Sequence, residues 1–148
     1  MNIEWETPQD FFDNINKEFH FTLDVAANPE NSKCTKYFKT GALVSDWSKD
    51  ICWMNCPYSD PYAWVKYAYK MSQKGATVVA LLRASVDTKW FHEFCMKAIE
   101  IRFVIDRIHF GRKGEFKRAN HPSILVVFEP YWSGSPMISS IDRHGNKF

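Results

Sequence analysis

The sequence has no long hydrophobic run. No segment approaches the ~20 apolar residues that a membrane-spanning helix needs, and residues 1–6 have neither the basic stretch nor the apolar core of a signal peptide. We therefore expect a protein without a membrane segment, located in the cytoplasm.

The sequence also lacks the cysteine pattern of a disulfide or zinc scaffold. None of its four cysteines, Cys34, Cys52, Cys56 and Cys95, forms a C-x-x-C pair. A chain of 148 residues can bury a core without cross-links, so we expect reduced thiols, no metal and a single domain over residues 1–148. The alternative is zinc held by Cys52, Cys56 and a distant histidine, although that spacing is not a usual ligand pattern.

Net charge is small as well: 19 Lys and Arg against 17 Asp and Glu give +2. Nucleic acid binding depends on clustering rather than on the total. Residues 102–118 contain such a cluster, in which six basic residues stand against two acidic ones and interleave with Phe110 and Phe116. The basic residues are Arg102, Arg107, Arg112, Lys113, Lys117 and Arg118. This segment could track phosphates while a ring stacks on a base. The alternative is a solvated basic hairpin with Phe110 packed beneath it.

Apolar segments alternate between strand and helix patterns. Thr7 and Pro8 predict the N-cap and first position of a helix. Ser59 or Asp60 predicts the start of a second helix and Asp87 that of a third. Strands are predicted at 20–25, 51–54, 77–82, 100–105 and 123–128, with a charged loop at 106–120 and an irregular tail at 130–148.

This order predicts an α/β fold: a mostly parallel sheet of about five strands with helices on both faces. In such folds ligands bind beyond the carboxyl ends of the strands. Asp24, Asn55 and Arg83 would share that edge, and Arg83 could instead pair with Asp87.

The segment that directly follows the second predicted strand could bind a planar base that carries an amino group. It consists of Asn55, Cys56, Pro57 and Tyr58. The Asn55 side-chain oxygen and the Cys56 carbonyl could accept the two amine hydrogens, which would turn the nitrogen lone pair towards an electrophile. Pro57 would fix the backbone, and Tyr58 would stack on the base, a contact worth ~1–3 kcal/mol. The alternative is a plain strand-ending turn.

The sequence resembles the phage-type DNA N6-adenine methyltransferases of the Dam class over most of residues 5–128. The ordered motifs are Trp5-Glu-Thr7-Pro8, Leu23-Asp24-Val-Ala-Ala27, Asp46-Trp47, Asn55-Cys-Pro-Tyr58-Ser59, Leu81-Leu-Arg-Ala-Ser-Val-Asp87-Thr-Lys-Trp90-Phe91, Arg107-Ile-His-Phe110 and Pro122-Ser123. We call residues 55–58 the corner, and the family's usual sequence there is Asn-Pro-Pro-Tyr. Cys56 replaces its first proline and keeps the main-chain carbonyl.

The resemblance implies a compact Rossmann-like methyltransferase fold, S-adenosylmethionine as cofactor, and methylation of adenine in DNA. It implies cofactor contacts at Thr7, Pro8, Asp24, Ala26 and Asp46, with Ala26 standing where glycines are usual. It implies a catalytic corner of Asn55, Cys56, Pro57 and Tyr58. It also implies a flipped target adenine, with DNA contacts at Arg107, Phe110, Arg112, Lys113, Lys117 and Arg118.

Two other functions stay open at this point. The same corner could accept a protein glutamine amide, although a basic loop would not be needed for that. Alternatively, the chain could be a catalytically impaired relative that binds DNA or a host protein. We also expect a location in an infected bacterial host, a short target sequence, and a possible homodimer.

Overall fold

A computed structural model describes residues 5–148, which form a six-stranded sheet beside a separate two-stranded hairpin. The order in the large sheet is β1-β2-β3-β7-β4-β8. Its strands are β1 (Leu23–Asp24), β2 (Ile51–Met54), β3 (Thr77–Arg83), β4 (Glu100–Val104), β7 (Ser123–Phe128) and β8 (Met137–Ile141), and the hairpin is β5 (His109–Arg112) with β6 (Glu115–Arg118). The α-helices are α1 (Gln9–Phe19), α2 (Pro61–Ser72) and α3 (Lys89–Glu93), with 3₁₀ turns at Ala42–Val44 and Cys95–Lys97.

Five of the six strands run in one direction. β1, β2 and β3 are parallel neighbours, and β4 and β8 are parallel to each other. β7 lies antiparallel between β3 and β4. The prediction of a mostly parallel α/β sheet is therefore confirmed, whereas the prediction of about five strands is wrong: there are six, and a second small sheet.

Helices cover both faces of the sheet, as predicted. Side chains of β3 alternate between the faces: Val79 and Leu81 contact the core under α1, while Val78, Ala80 and Leu82 contact the core under α2 and α3. Apolar residues of each helix face these cores: Phe11, Phe12 and Ile15 of α1, Val65, Ala68 and Met71 of α2, and Trp90 and Phe91 of α3.

Two stretches predicted to be irregular contain strands. Within the tail at 130–148, β8 pairs with β4 at the edge of the sheet. Within the charged loop at 106–120, β5 and β6 form a hairpin whose turn places Lys113 at φ 53° and Gly114 at φ 83°. Two successive positive φ angles match the twist of a tight hairpin, and glycine supplies one of them without strain.

Helix and strand ends differ from the sequence prediction in detail. Pro8, not Thr7, is the N-cap of α1, and no side chain caps that helix. Asp60 caps α2 as predicted, by accepting a hydrogen bond from the Ala63 N–H at 3.3 Å. Thr88 rather than Asp87 caps α3. β1 comprises two residues instead of six, and His20, where the predicted strand would begin, is instead the left-handed C-cap of α1.

Between residues 5 and 148, no helix is both long and apolar enough to cross a membrane. All four cysteines are free thiols; three are buried and Cys34 is half-buried.

Candidate active site

A cavity of about 350 Å³ lies at the carboxyl ends of β1, β2 and β3. Asp24 ends β1, Asn55 follows β2 and Arg83 ends β3, and all three line the cavity. Parallel strands bring their carboxyl ends to one edge, which is why residues far apart in sequence meet here. Its other lining residues are Trp5, Thr7, Ala26, Ala27, Asn31, Lys33, Lys39, Trp53, Cys56, Pro57, Tyr58, Ser59 and Trp64.

The Asn55 amide is held by the chain segment that precedes α1. Asn55 Nδ2 donates to the Trp5 carbonyl at 3.0 Å and to the Thr7 hydroxyl at 3.2 Å. These two bonds use both hydrogens of the amide nitrogen. Within residues 5–148 no group donates a hydrogen bond to Asn55 Oδ1 or to the Cys56 carbonyl. Two acceptors at the corner thus have no donor among the described residues.

Residues 5–7, which we call the strap, also reach the hairpin. The Glu6 N–H donates to the Gly111 carbonyl at 2.6 Å, and the Gly111 N–H donates to the Glu6 carbonyl at 2.8 Å. Thr7 is almost fully buried beneath this connection, at 2% exposure. The strap therefore links the position of Asn55 to that of β5.

The Cys56 thiol is buried in the core under α2 and α3. Burial disfavours its charged form and raises the pKa of Cys56 to about 12. A thiol that stays neutral and buried is not a nucleophile, so this residue can serve the site through its main chain only.

Asp24 is a buried carboxylate, 3% exposed. It accepts hydrogen bonds from the backbone N–H groups of Lys33 at 3.0 Å and Ala26 at 3.2 Å. Desolvation outweighs these two bonds and raises the pKa of Asp24 to about 6. At neutral pH the cavity therefore contains a poorly solvated negative charge that would favour a cationic partner.

A second cavity, of about 260 Å³, adjoins the first. Trp5, Tyr58 and Arg83 line both cavities. The Arg83 guanidinium lies 4.8 Å from the centre of the Tyr58 ring. In the described part of the chain Arg83 forms no ion pair with Asp87, so that predicted alternative is wrong. Burial raises the pKa of Tyr58 above its usual range, which keeps the phenol neutral.

Three of the six predicted DNA contacts line this second cavity: Phe110, Lys117 and Arg118. Lys113 lies at the hairpin turn and Arg112 at the end of β5, and neither lines the second cavity. The Arg112 guanidinium lies 6.0 Å from the centre of the Trp5 ring. Arg107 also lies outside the lining. Arg118 reaches Asp106 at 3.4 Å, an exposed pair of the kind that contributes little to stability.

Arg102 does not belong to the basic surface on which the sequence placed it. Its side chain is 5% exposed and binds both carboxylate oxygens of Glu18, at 2.8 and 2.6 Å, and Glu100 at 2.9 Å. The guanidinium fastens α1 to β4, so its role is structural.

Two predicted cofactor contacts, Pro8 and Asp46, do not line the larger cavity. The exposed Asp46 carboxylate accepts a hydrogen bond from the Ser48 N–H at 2.8 Å, and hydrogen bonding from the side chain and then the backbone of Ser48 lowers the pKa of Asp46. Thr7, Asp24 and Ala26 do line the cavity, together with all four residues of the corner.

Sequence reasoning missed several lining residues. Trp5 and Lys33 come to the site through long-range contacts: the Lys33 ammonium binds Glu6 at 3.1 Å and Gln9 at 2.9 Å. Trp64 of α2 also lines the larger cavity, and its helical spacing with Val65 and Ala68 is equally typical of a packing residue. His121 lines the second cavity and stands just before the Pro122-Ser123 motif, which was the only nearby signal.

The fold and the site define an α/β protein of the methyltransferase-like class, with a ligand-sized cavity at the carboxyl edge of its sheet. The sequence model of one family, described as DNA N-6-adenine-methyltransferase (Dam), matches residues 2–147. The chain belongs to this family, and the resemblance seen in its motifs is confirmed.

Two phage proteins are similar to the chain. The DNA N-6-adenine-methyltransferase of Haemophilus phage HP1 (strain HP1c1) is 36% identical over 135 residues, covering 85% of this chain and 78% of that protein. The DNA N-6-adenine-methyltransferase of Escherichia phage T1 is 31% identical over 121 residues, covering 74% of this chain and 51% of that protein. The chain thus matches about half the length of the second relative.

Proposed function

We propose that this chain transfers a methyl group from S-adenosylmethionine to the exocyclic amino group of adenine in DNA. The observation that carries the proposal is the orientation of Asn55. Its nitrogen donates to Trp5 and Thr7, which leaves Oδ1 as a free acceptor on a residue that lines the larger cavity. Family membership and the names of both phage relatives support the same reaction.

The larger cavity fits the cofactor both in its volume and in the charged groups that line it. Its volume of about 350 Å³ lies within the usual range for small-molecule sites. Asp24 offers a buried carboxylate to the methionine ammonium, and Lys39 offers an exposed ammonium to the methionine carboxylate. When bound, S-adenosylmethionine supplies an electrophilic methyl group on a sulfonium. The proposal uses Asp24 and Ala26 and leaves out Pro8 and Asp46, which are not part of the lining.

The corner residues would activate the amine without a base. Adenine's amino nitrogen is a poor nucleophile because its lone pair is delocalised into the ring. Asn55 Oδ1 and the Cys56 carbonyl would accept its two hydrogens, which would direct the lone pair out of the ring plane. Pro57 restricts the backbone at this turn. The extra proton would leave after transfer, by way of solvent or the acceptor oxygens.

The second cavity would receive the target base, with Tyr58 and Phe110 as its aromatic walls. Removing a base from a duplex costs a few kcal/mol, and each aromatic stacking contact offsets ~1–3 kcal/mol of that cost. Lys117 and Arg118 would bind phosphates beside the cavity, with Arg107, Arg112 and Lys113 along the hairpin.

The test is methyl transfer by the purified chain from methyl-labelled cofactor to unmethylated duplex DNA. Digestion to nucleosides should yield labelled N6-methyladenine, and Asn55→Ala should bind cofactor yet transfer none. Label in protein glutamine, or no label in any acceptor despite cofactor binding, would refute the proposal.

A further inference from the structure

His121 contacts both aromatic rings that the proposed function assigns to the target base. Its imidazole stacks on Phe110, with ring centroids 6.2 Å apart and planes at 26°. It meets Tyr58 edge-on, with centroids 5.5 Å apart and planes at 87°. All three side chains line the second cavity. A planar ring of the chain therefore already stacks on Phe110, as a base would, and lies against Tyr58 edge-on.

The imidazole is held on one side only. Its Nδ1 lies 3.1 Å from Asn120 Oδ1, whereas its Nε2 is buried and has no hydrogen-bond partner among residues 5–148. The neighbouring Tyr58 hydroxyl is also buried without a partner in that range. A buried polar atom without a partner is destabilising, so the packed position of the imidazole depends on its contacts with the two aromatic rings.

The position of His121 in the chain lets its side chain move while the strands stay in place. It precedes Pro122, whose carbonyl accepts a hydrogen bond from the Ala84 N–H at 2.9 Å and so secures the start of β7. On the other side the Ala119 N–H donates to the Ile108 carbonyl at 2.9 Å. Only residues 120 and 121 lie between these two hydrogen-bonded positions, and Asn120 is exposed while His121 is half-buried.

The surroundings keep the imidazole uncharged while it is packed. Burial and the positive charges of Arg83 and Arg107 lower the pKa of His121. The neutral ring suits stacking on Phe110, and leaving the cavity restores its access to water.

We propose that His121 is a place-holder in the base slot, the part of the second cavity beside Tyr58 and Phe110. In the free protein its imidazole takes the stacking position of the target adenine on Phe110, with the Tyr58 ring edge-on beside it, and it swings out when the flipped base arrives. This inference rests on the proposed function, because it requires a base to enter the second cavity. The filled slot keeps the two aromatic walls apart before DNA binds, and DNA binding energy is partly used to displace the ring.

The test compares His121→Ala with His121→Phe. Alanine leaves the slot open, so the KM for unmethylated plasmid DNA should fall by about fivefold, the order expected when one ring contact need not be displaced, with kcat unchanged. Phenylalanine refills the slot with a ring that gains no hydrogen bond outside it, so the KM should rise. A permanent brace would give the reverse: a raised KM for alanine and near-normal values for phenylalanine.

A second readout does not depend on turnover. The ring protons of His121, assigned by their loss in the His121→Phe spectrum, should show a ring-current shift in the free protein that disappears when duplex DNA is added. A shift that persists in the complex would overturn the place-holder. If the shift is lost but no methyl group is transferred, the displacement of His121 is supported and the proposed function is refuted. His92→Ala, an exposed histidine of α3 outside both cavities, should change neither readout.

Discussion

Asn55 donates a hydrogen bond from Nδ2 to the hydroxyl of Thr7, 48 residues earlier in the chain, at 3.2 Å. This bond, with the parallel one to the Trp5 carbonyl, determines which atom of the amide is free to act as an acceptor. The strap that supplies both acceptors also pairs with Gly111 of the hairpin. The orientation of the Asn55 amide is therefore set by a segment outside the sheet.

Replacing Thr7 by valine should reduce methyl transfer more than cofactor binding. Valine keeps the shape but removes the acceptor, and an unpaired amide hydrogen costs ~1–3 kcal/mol, so kcat should fall by about tenfold. Thr7→Ser retains a hydroxyl and should stay near wild type. Steady-state kinetics and calorimetry with the cofactor measure the two effects. Equal losses in Thr7→Val and Thr7→Ser would argue against the hydroxyl's role.

Cofactor affinity should increase with pH up to about 6 and level off above it. Ammonium binding needs ionised Asp24, whose pKa is raised to about 6, so one pH unit below that value affinity should be about tenfold weaker. The effect on folding has the opposite sign. A raised carboxyl pKa stabilises the free protein below the unfolded value, and this contribution is lost as pH rises through about 6.

Calorimetry between pH 5 and 7 tests this, with two variants as controls. Asp24→Asn should bind weakly and without pH dependence. Asp46→Asn should retain the wild-type profile, because Asp46 lies outside the cavity lining. A flat profile in the wild type, or a profile abolished by Asp46→Asn, would show that the wrong carboxylate has been chosen.

Replacing Cys56 by alanine should preserve methyl transfer to within about threefold. The main-chain carbonyl survives the substitution, and the thiol, with a pKa of about 12, takes no part in the chemistry. Loss of buried sulfur should lower the free energy of unfolding by ~1 kcal/mol, measured by denaturant titration. Cys52→Ala, a buried cysteine outside the cavity lining, is the stability control. A hundredfold loss of kcat in Cys56→Ala alone would implicate the side chain.

Neutralising Lys113 should weaken DNA binding at all sequences alike and reduce its salt dependence. Lys113 is exposed at the hairpin turn and forms no ion pair within the described residues. One lost phosphate contact reduces the slope of log K against log salt by about one. Lys66→Gln removes an exposed lysine of α2 that lines neither cavity and should leave the slope unchanged. Identical slopes for the two variants would place DNA elsewhere.

Strands that are buried on both faces were predictable from sequence, because such strands consist of compact runs of apolar residues. β2 and β7 begin and end where predicted, and β3 extends one residue further. β8 was missed because it is a mostly exposed edge strand, and the hairpin because all four residues of β6 are exposed. Neither strand carries the apolar pattern on which the prediction depends.

Part of the site was predictable for a related reason. Asp24 and Asn55 stand at the ends of buried strands, so the topology of the sheet brings them together. The sequence predicted Thr7 as a helix cap and, from the resemblance, as a cofactor contact, and only the folded strap shows its bond to Asn55. Contacts such as those of Trp5, Lys33 and His121 depend on long-range packing and have no local sequence signal.

The central claim is that Asn55 presents its oxygen to the amino group of adenine. The most direct measurement is nucleoside mass spectrometry of DNA from cells that lack adenine methylation and express this chain or its Asn55→Ala variant. We predict N6-methyladenine with the wild-type chain and none with the variant, at equal protein levels and equal cofactor affinity. N6-methyladenine in both strains, or in neither despite cofactor binding by both proteins, would contradict the account.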